Sequence, residues 1–164
     1  MNSPLTAEAT GRGAEISECG RYRYKLWRRW GDGGLLALVG LNPSTADATQ
    51  DDPTIRRCVA FAKSWGYGSL MMVNLFAFRA TLPAQMKNAA DPVGPLNDAR
   101  LLEVALSASL TVAAWGAHGA YLGRGAQVRA LLPRLHYLRL TKAGHPGHPL
   151  YLPAGLKPQP WEQR

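Results

Sequence analysis

Three continuous apolar runs constrain this chain more than anything else in it: residues 35–39 (LLALV), 69–73 (SLMMV) and 110–114 (LTVAA). None alternates with polar residues, so each predicts a strand buried on both faces. Between the first two runs, Asp52-Pro53 offers a capping side chain followed by proline at the first helical position. Ile55, Val59, Ala62 and Trp65 then recur at helical spacing until Gly66. Further helices are expected over about residues 95–107 and around residues 127–132, with a fourth strand at residues 136–140. Strands alternating with helices in this way imply a parallel sheet covered on both faces. Residues 22–30 (YRYKLWRRW) instead alternate apolar with basic, the period of a half-exposed strand. Gly31-Asp32-Gly33-Gly34 offers the positive φ angles of a hairpin turn leading into residues 35–39. The expected fold is three-layer α/β, a central four-stranded parallel sheet with an added N-terminal antiparallel strand.

A length of 164 residues suits one domain with a real core. Residues 1–20 are small and polar, without a basic segment leading into an apolar one, and read as a flexible leader. Residues 21–152 read as the single α/β domain and residues 153–164 as a proline-rich tail. No apolar run is long enough to span a bilayer. The two cysteines, Cys19 and Cys58, are too few for a disulfide framework and suit a reducing cytoplasm. No metal, no cofactor and no membrane partner is expected, and the chain is read as a monomer.

The formal net charge is +8, which favours a polyanionic partner, nucleic acid and DNA first. The basic residues are dispersed: Arg21, Arg23, Lys25, Arg28 and Arg29, then Arg56, Arg57 and Lys63, then Arg124, Arg129, Arg134, Arg139 and Lys142. Dispersal of this kind predicts a folded basic face rather than a disordered arm. A basic surface tuned only for solubility is the competing reading.

In parallel sheets ligands bind beyond the carboxyl ends of the strands. That rule selects residues 40–47 (GLNPSTAD), 74–81 (NLFAFRAT), 115–119 (WGAHG) and 141–152 (TKAGHPGHPLYL). These segments, with DDPTIRRC at 51–58, resemble an uncharacterised bacterial and phage family known as domain of unknown function 1643, over roughly residues 21–152. That family name carries no activity. A more distant resemblance is to the uracil-DNA glycosylases, whose first motif follows the first core strand and whose second follows the last. Gly40-Leu41-Asn42-Pro43-Ser44 is similar to the first, especially in the mismatch-specific branch, which has Asn where others have Asp. His145-Pro146-Gly147-His148-Pro149-Leu150 is similar to the second, with either histidine as its counterpart. Asn74 falls where some branches carry a base-reading asparagine.

Cleaving an N-glycosidic bond builds positive charge on the sugar and negative charge on the base. Asn42 is the candidate for orienting water, and His145 or His148 for donating to the base. Asn74 offers both a donor and an acceptor for a pyrimidine edge. Phe76, Phe78 or Trp115 is suited to stack on an extruded base, with Gly40, Leu41, Pro43 and Ser44 shaping the pocket. Asp47 is a candidate base or a partner for Arg79, and Arg79 and Lys142 are candidates for phosphate contact. Each has a bland counterpart: a structural turn at Asn42, a capping role at Asn74, core packing at the phenylalanines, and solvated charges at Arg79 and Lys142. Asp52 reads as a helix cap. The reading that follows is a glycosylase-like protein acting on uracil or a modified pyrimidine in DNA. The alternatives are a non-catalytic binder of damaged or modified nucleic acid and an enzyme of free nucleotides or nucleosides.

Overall fold

The computed structural model describes residues 11–162. Its strands are β1 (Arg12–Ile16), β2 (Arg23–Arg29), β3 (Leu35–Gly40), β4 (Ser69–Asn74), β5 (Leu110–Ala113), β6 (Leu135–Tyr137) and β7 (Gln159–Pro160). They form one mixed sheet in the order β1-β2-β4-β3-β5-β6-β7. Neighbours β4, β3, β5 and β6 run parallel, while β1, β2 and β7 pair antiparallel. Four helices are described: α1 (Pro53–Ser64), α2 (Pro83–Lys87), α3 (Asn97–Ser107) and α4 (Arg124–Leu131). Among the described residues, no helix is long and apolar enough to cross a membrane.

The apolar runs serve two cores at once, because successive strand side chains point to opposite faces. Ala37, Val39, Met71, Val73 and Ala113 pack with Leu101 and Val104 of α3 and Val128 of α4. Leu36, Leu38, Leu70, Met72 and Val112 pack with Ile55, Cys58, Phe61 and Ala62 of α1. The start of α1 follows the sequence: the Asp52 side chain accepts the Ile55 N–H at 2.8 Å, and Pro53 opens the helix. The Cys58 thiol is fully buried, and that burial pushes its pKa up to about 12, which leaves it an inert core group.

The sheet is not four parallel strands with one addition. Residues 12–16, expected within the leader, form edge strand β1 on β2, and residues 1–10 lie outside the described ones. The expected tail is likewise ordered in part, since β7 pairs with β6 and Trp161 lies 5.7 Å from the Trp115 ring. The segment between β4 and α3 contains the short helix α2, which none of the sequence patterns above marks.

The larger correction concerns the hairpin. Strand β2 does not pair with β3; β4 lies between them. Residues 30–34 pass over the start of β4, where the Trp30 and Gly31 N–H groups both donate to the Gly68 carbonyl, at 3.0 and 3.1 Å, and the Gly68 N–H donates to Gly34. Gly31, Gly33 and Gly34 have no positive φ. Glycine is needed there for backbone contact: a Cβ on Gly68 would stand 2.3 Å from the Gly33 nitrogen and 2.6 Å from the Gly31 oxygen.

Strand β2 is not half-exposed either, since Arg29 is its one exposed residue. With β1 outside it and helices over the sheet, Arg23, Lys25 and Arg28 are interior. The Lys25 ammonium lies 3.1 Å from Glu103 and 3.9 Å from Glu15. Arg28 pairs with Asp51 at 2.8 Å and donates to the carbonyls of Asp47 and Gln50.

Gly68→Ala is therefore expected to cost about 3 kcal/mol, the upper part of the range for overpacking. Urea unfolding measures it, and an unchanged midpoint would show that the crossing is not tight.

Candidate functional site

A cavity of about 780 Å³ opens at the carboxyl ends of β3, β4 and β5. That is the size of sites that hold nucleoside-scale ligands. Gly40, Leu41, Asn42, Pro43 and Ser44 all line it, so the first motif stands where the topology rule places it. The motif is stitched to the segment after β4: Leu75 and Phe76 N–H groups donate to Gly40 and Leu41, and Ala80 N–H to Pro43. The Asn42 amide nitrogen donates to the carbonyls of Ala80 at 2.9 Å and Pro43 at 3.1 Å. Two acceptors on that side fix the orientation of the amide and leave Oδ1 as its uncommitted atom.

Asn74 ends β4 and is almost wholly buried in the cavity lining. Its place is set from below. Asn97 donates to the carbonyls of Asn74 and Leu75, both at 2.9 Å, and Arg124 donates to Leu75 at 2.8 Å. From the side, a Cβ on Gly40 would fall 2.8 Å from Asn74 Oδ1, so only glycine leaves room for that amide. Asn74 Nδ2 is buried without a hydrogen-bond partner. An unfilled buried donor of this kind costs about 1–3 kcal/mol.

The two histidines of the last loop part company. His148 lines the cavity, and its Nδ1 accepts the Leu150 N–H at 3.2 Å. Neutral imidazole has one donor and one acceptor, so the proton sits on Nε2. Burial lowers the His148 pKa, partly offset by the charge of Asp52. His145 does not line the cavity; its N–H donates to Thr141 Oγ1 and its carbonyl accepts from the Thr141 N–H, closing a turn. His118 also lines the cavity, 3.1 Å from the Lys87 ammonium, and sequence reasoning had passed over it.

The other predicted residues divide. Trp115 is buried and lines the cavity. Phe76 is a core residue beside Tyr121, and Phe78 packs edge-on to Tyr22; neither lines the cavity. Asp47 does not line it either. Its carboxylate accepts the N–H groups of Thr49 and Gln50, which lowers its pKa and makes it the hub of a turn. Arg79 donates to Gly20, and Lys142 is exposed beside the lining Thr141; both stand outside the lining.

Two charged residues join the cavity that sequence reasoning did not place there. Asp52, the cap of α1, also lines it and is the one carboxylate among the described lining residues. Arg23 lines it from the start of β2, because that strand runs antiparallel to β4 and begins where β4 ends. Arg23 is 2 % exposed, and its one hydrogen bond from the side chain runs from Nη1 to the Ala46 carbonyl at 2.9 Å. Desolvation pushes its pKa down to about 10, against the opposing charge of Asp52. Among the described residues no group of three or more His, Cys, Asp or Glu is placed to hold a metal.

The family model described as Protein of unknown function (DUF1643) matches residues 23–150, and the chain belongs to that family. No curated protein and no solved structure matches it.

Because the folded pKa of His148 is depressed, its contribution to stability is full above the ordinary histidine pKa and is lost as pH falls through the folded value. His148→Asn keeps an acceptor for the Leu150 N–H and removes the titration. Its melting temperature is expected to fall less than that of the wild type between about pH 7 and about pH 5. Parallel curves would show that His148 titrates as a solvated group.

Proposed function

We propose that this member of the DUF1643 family hydrolyses the N-glycosidic bond of uracil or a modified pyrimidine in DNA, taking the extruded nucleotide into the cavity between Asn42, Asn74 and His148. The observation that carries the reading is the Asn74 amide, buried in the cavity lining with Nδ2 unpartnered. A pyrimidine edge offers the missing acceptor, and Asn74 Oδ1 can receive a ring N–H in return. The helices on both faces of the parallel strands support a likeness to the three-layer uracil-DNA glycosylases, as does the order of the motifs around the cavity.

In this reading water is held by Asn42 Oδ1, the atom its own backbone contacts leave free. The water oxygen bonds to C1′ as the C1′–N1 bond breaks and its electron pair stays with the base. The remaining water proton then neutralises the base. His148 Nε2–H donates to a base carbonyl, and neutral imidazole is the form that desolvation favours there. Asn42 carries no charge to offset the developing sugar cation. Asp52, capping α1 through Oδ1 alone, supplies negative charge to the same cavity.

A second reading, an enzyme of free nucleosides or nucleotides, is favoured by the fate of the basic residues. Arg23, Lys25, Arg28 and Arg124 are buried, so the surface facing a duplex is less basic than the composition suggests. The salt dependence of binding separates the two: a steep loss of affinity for long DNA with rising salt belongs to the first, a flat response to the second.

Labelled single- and double-stranded oligonucleotides carrying uracil, mismatched thymine, hypoxanthine or hydroxymethylated pyrimidines test the chemistry, with alkali revealing abasic sites. Cleavage of at least one substrate is expected, and Asn42→Ala and Asp52→Asn should each slow it about 100-fold. The second variant keeps the helix cap, so its stability should stay near wild type. No abasic sites across the panel would sink the proposal, and intact DNA binding in that case would favour a non-catalytic binder.

A further inference from the structure

A guanidinium taken out of water is costly unless carboxylates or several acceptors replace its hydration. Among the described residues, the buried cations follow that rule with one exception. Lys25 has Glu103 and Glu15, Arg28 has Asp51 and backbone carbonyls, and Arg124 has Asp98 and the Leu75 carbonyl. Arg23 has no carboxylate at ion-pair distance among the described residues, feeling Asp52 only as a more distant charge, and its Nε is buried without any partner. The exception is also the only one of these four that lines the cavity.

Its position is not an accident of strand alternation. Along β2, Leu26 belongs to the α1 side of the sheet and Trp27 to the α3 side. Strict alternation from Trp27 through Lys25 would send Arg23 to the α3 side. The pairing with β1 instead slips between Glu15↔Lys25 and Ile16↔Arg23, leaving Tyr24 as an extra residue. Such a bulge re-aims the side chains beyond it. Arg23 accordingly reaches the Ala46 carbonyl, whose residue packs in the α1-side core.

We propose that Arg23 is the anion-binding residue of the cavity, taking up on its free N–H donors the negative charge that leaves with the pyrimidine. The identity of the anion rests on the base-excision reading. When C1′–N1 breaks, the electron pair passes to N1 and spreads to O2 and O4, and hydroxide from the water stays on C1′. Arg23 gives up no proton in this step; it holds the ring anion until the remaining water proton neutralises it. A planar fork suits two acceptors of a planar ring. The donors that the protein itself leaves open are then filled by the charge that develops, so the interaction is strongest where it accelerates the reaction.

Two measurements on the full chain test this, with Arg23→Gln and Arg23→Lys. Single-turnover cleavage is compared for uracil and 5-fluorouracil in the same oligonucleotide, since the fluorinated ring carries negative charge more easily. Arg23→Gln should slow uracil release about tenfold more than 5-fluorouracil release, and Arg23→Lys should recover part of the difference. Equal slowing of both substrates overturns the inference, because a structural defect ignores the leaving group. Separately, calorimetry compares free uracil with barbiturate, a pyrimidine that is anionic at neutral pH. Wild type should prefer barbiturate, and Arg23→Gln should lose that preference; no preference in wild type overturns the inference. Abasic sites together with no anion preference would leave base excision standing without Arg23. Barbiturate binding that depends on Arg23, with no abasic sites from any substrate, would instead remove base excision and keep the anion site. Arg23→Gln should melt no lower than Arg23→Lys, as the charge it removes is desolvated and makes no ion pair at contact distance; if it fails to fold, Arg23→Lys against wild type carries both comparisons.

Discussion

The architecture hangs on a backbone crossing. The chain leaves β2, passes over the beginning of β4, and enters β3 on the far side, with Gly68 pressed against Gly31 and Gly33. Side chains at these positions would hold the strands apart. Because the crossing closes, β2 can run antiparallel along the outer flank of β4, with four adjacent pairs from Leu26↔Met72 to Arg29↔Ser69. An antiparallel neighbour reverses the sense of the edge: the first residues of β2 stand where the last residues of β4 end. A parallel sheet would otherwise offer only loop residues there. This one also offers the start of a strand, which is a stiffer platform for a charged side chain than a loop is.

The same strand explains how a basic protein spends its charge. Lys25 and Arg28 are each tied to acids from distant parts of the chain, Glu103 on α3 and Asp51 before α1. Arg28 also binds the carbonyls of the segment between β3 and α1, so it holds the first motif's exit against the sheet. Removing the acid of such a pair leaves a buried cation with fewer partners and destabilises the fold. These cations specify the fold's assembly. They are withdrawn from the surface, where exposed residues such as Arg21, Arg56, Arg139 and Lys142 carry the remaining basic charge.

What the sequence revealed was what is local. The apolar runs at 35–39, 69–73 and 110–114 became adjacent strands β3, β4 and β5, and the Asp52-Pro53 start of α1 is a matter of neighbouring residues. The position of Asn42, Asn74 and His148 followed from one topological rule applied to strand ends. What stayed hidden depends on pairing across long separations. An alternating basic strand reads as half-exposed whether or not β1 and a helix later cover it, so the burial of Arg23 and Lys25 had no local signal. Whether β2 paired with β3 or β4 was open for the same reason, and a glycine-rich connection suits a hairpin and a crossover equally. Asp47 and Asp52 lie five residues apart in one acidic stretch; only the folded chain shows that the first organises a turn and the second reaches the cavity. Asn97 opens α3, and nothing local to it shows that its amide also holds the end of β4.

Four buried polar atoms among the described residues lack a partner: Arg23 Nε, Trp27 Nε1, Asn74 Nδ2 and Asn97 Oδ1. Arg23 and Asn74, two of the four residues, line one cavity, and both of their unfilled atoms are donors. A fold selected for stability alone would fill or remove them, since each costs about 1–3 kcal/mol. His148 Nε2–H adds a third donor to the same lining. A ligand complementary to this set must be rich in acceptors and must tolerate or carry negative charge. Asp52 sets the opposite requirement on the same walls, a place where positive charge is welcome. Charge of both signs thus lines one cavity, with Asp52 near enough to Arg23 to raise the pKa of its guanidinium against desolvation. Donors without partners in a cavity wall serve recognition as much as chemistry, and in either case they call for a ligand that supplies acceptors.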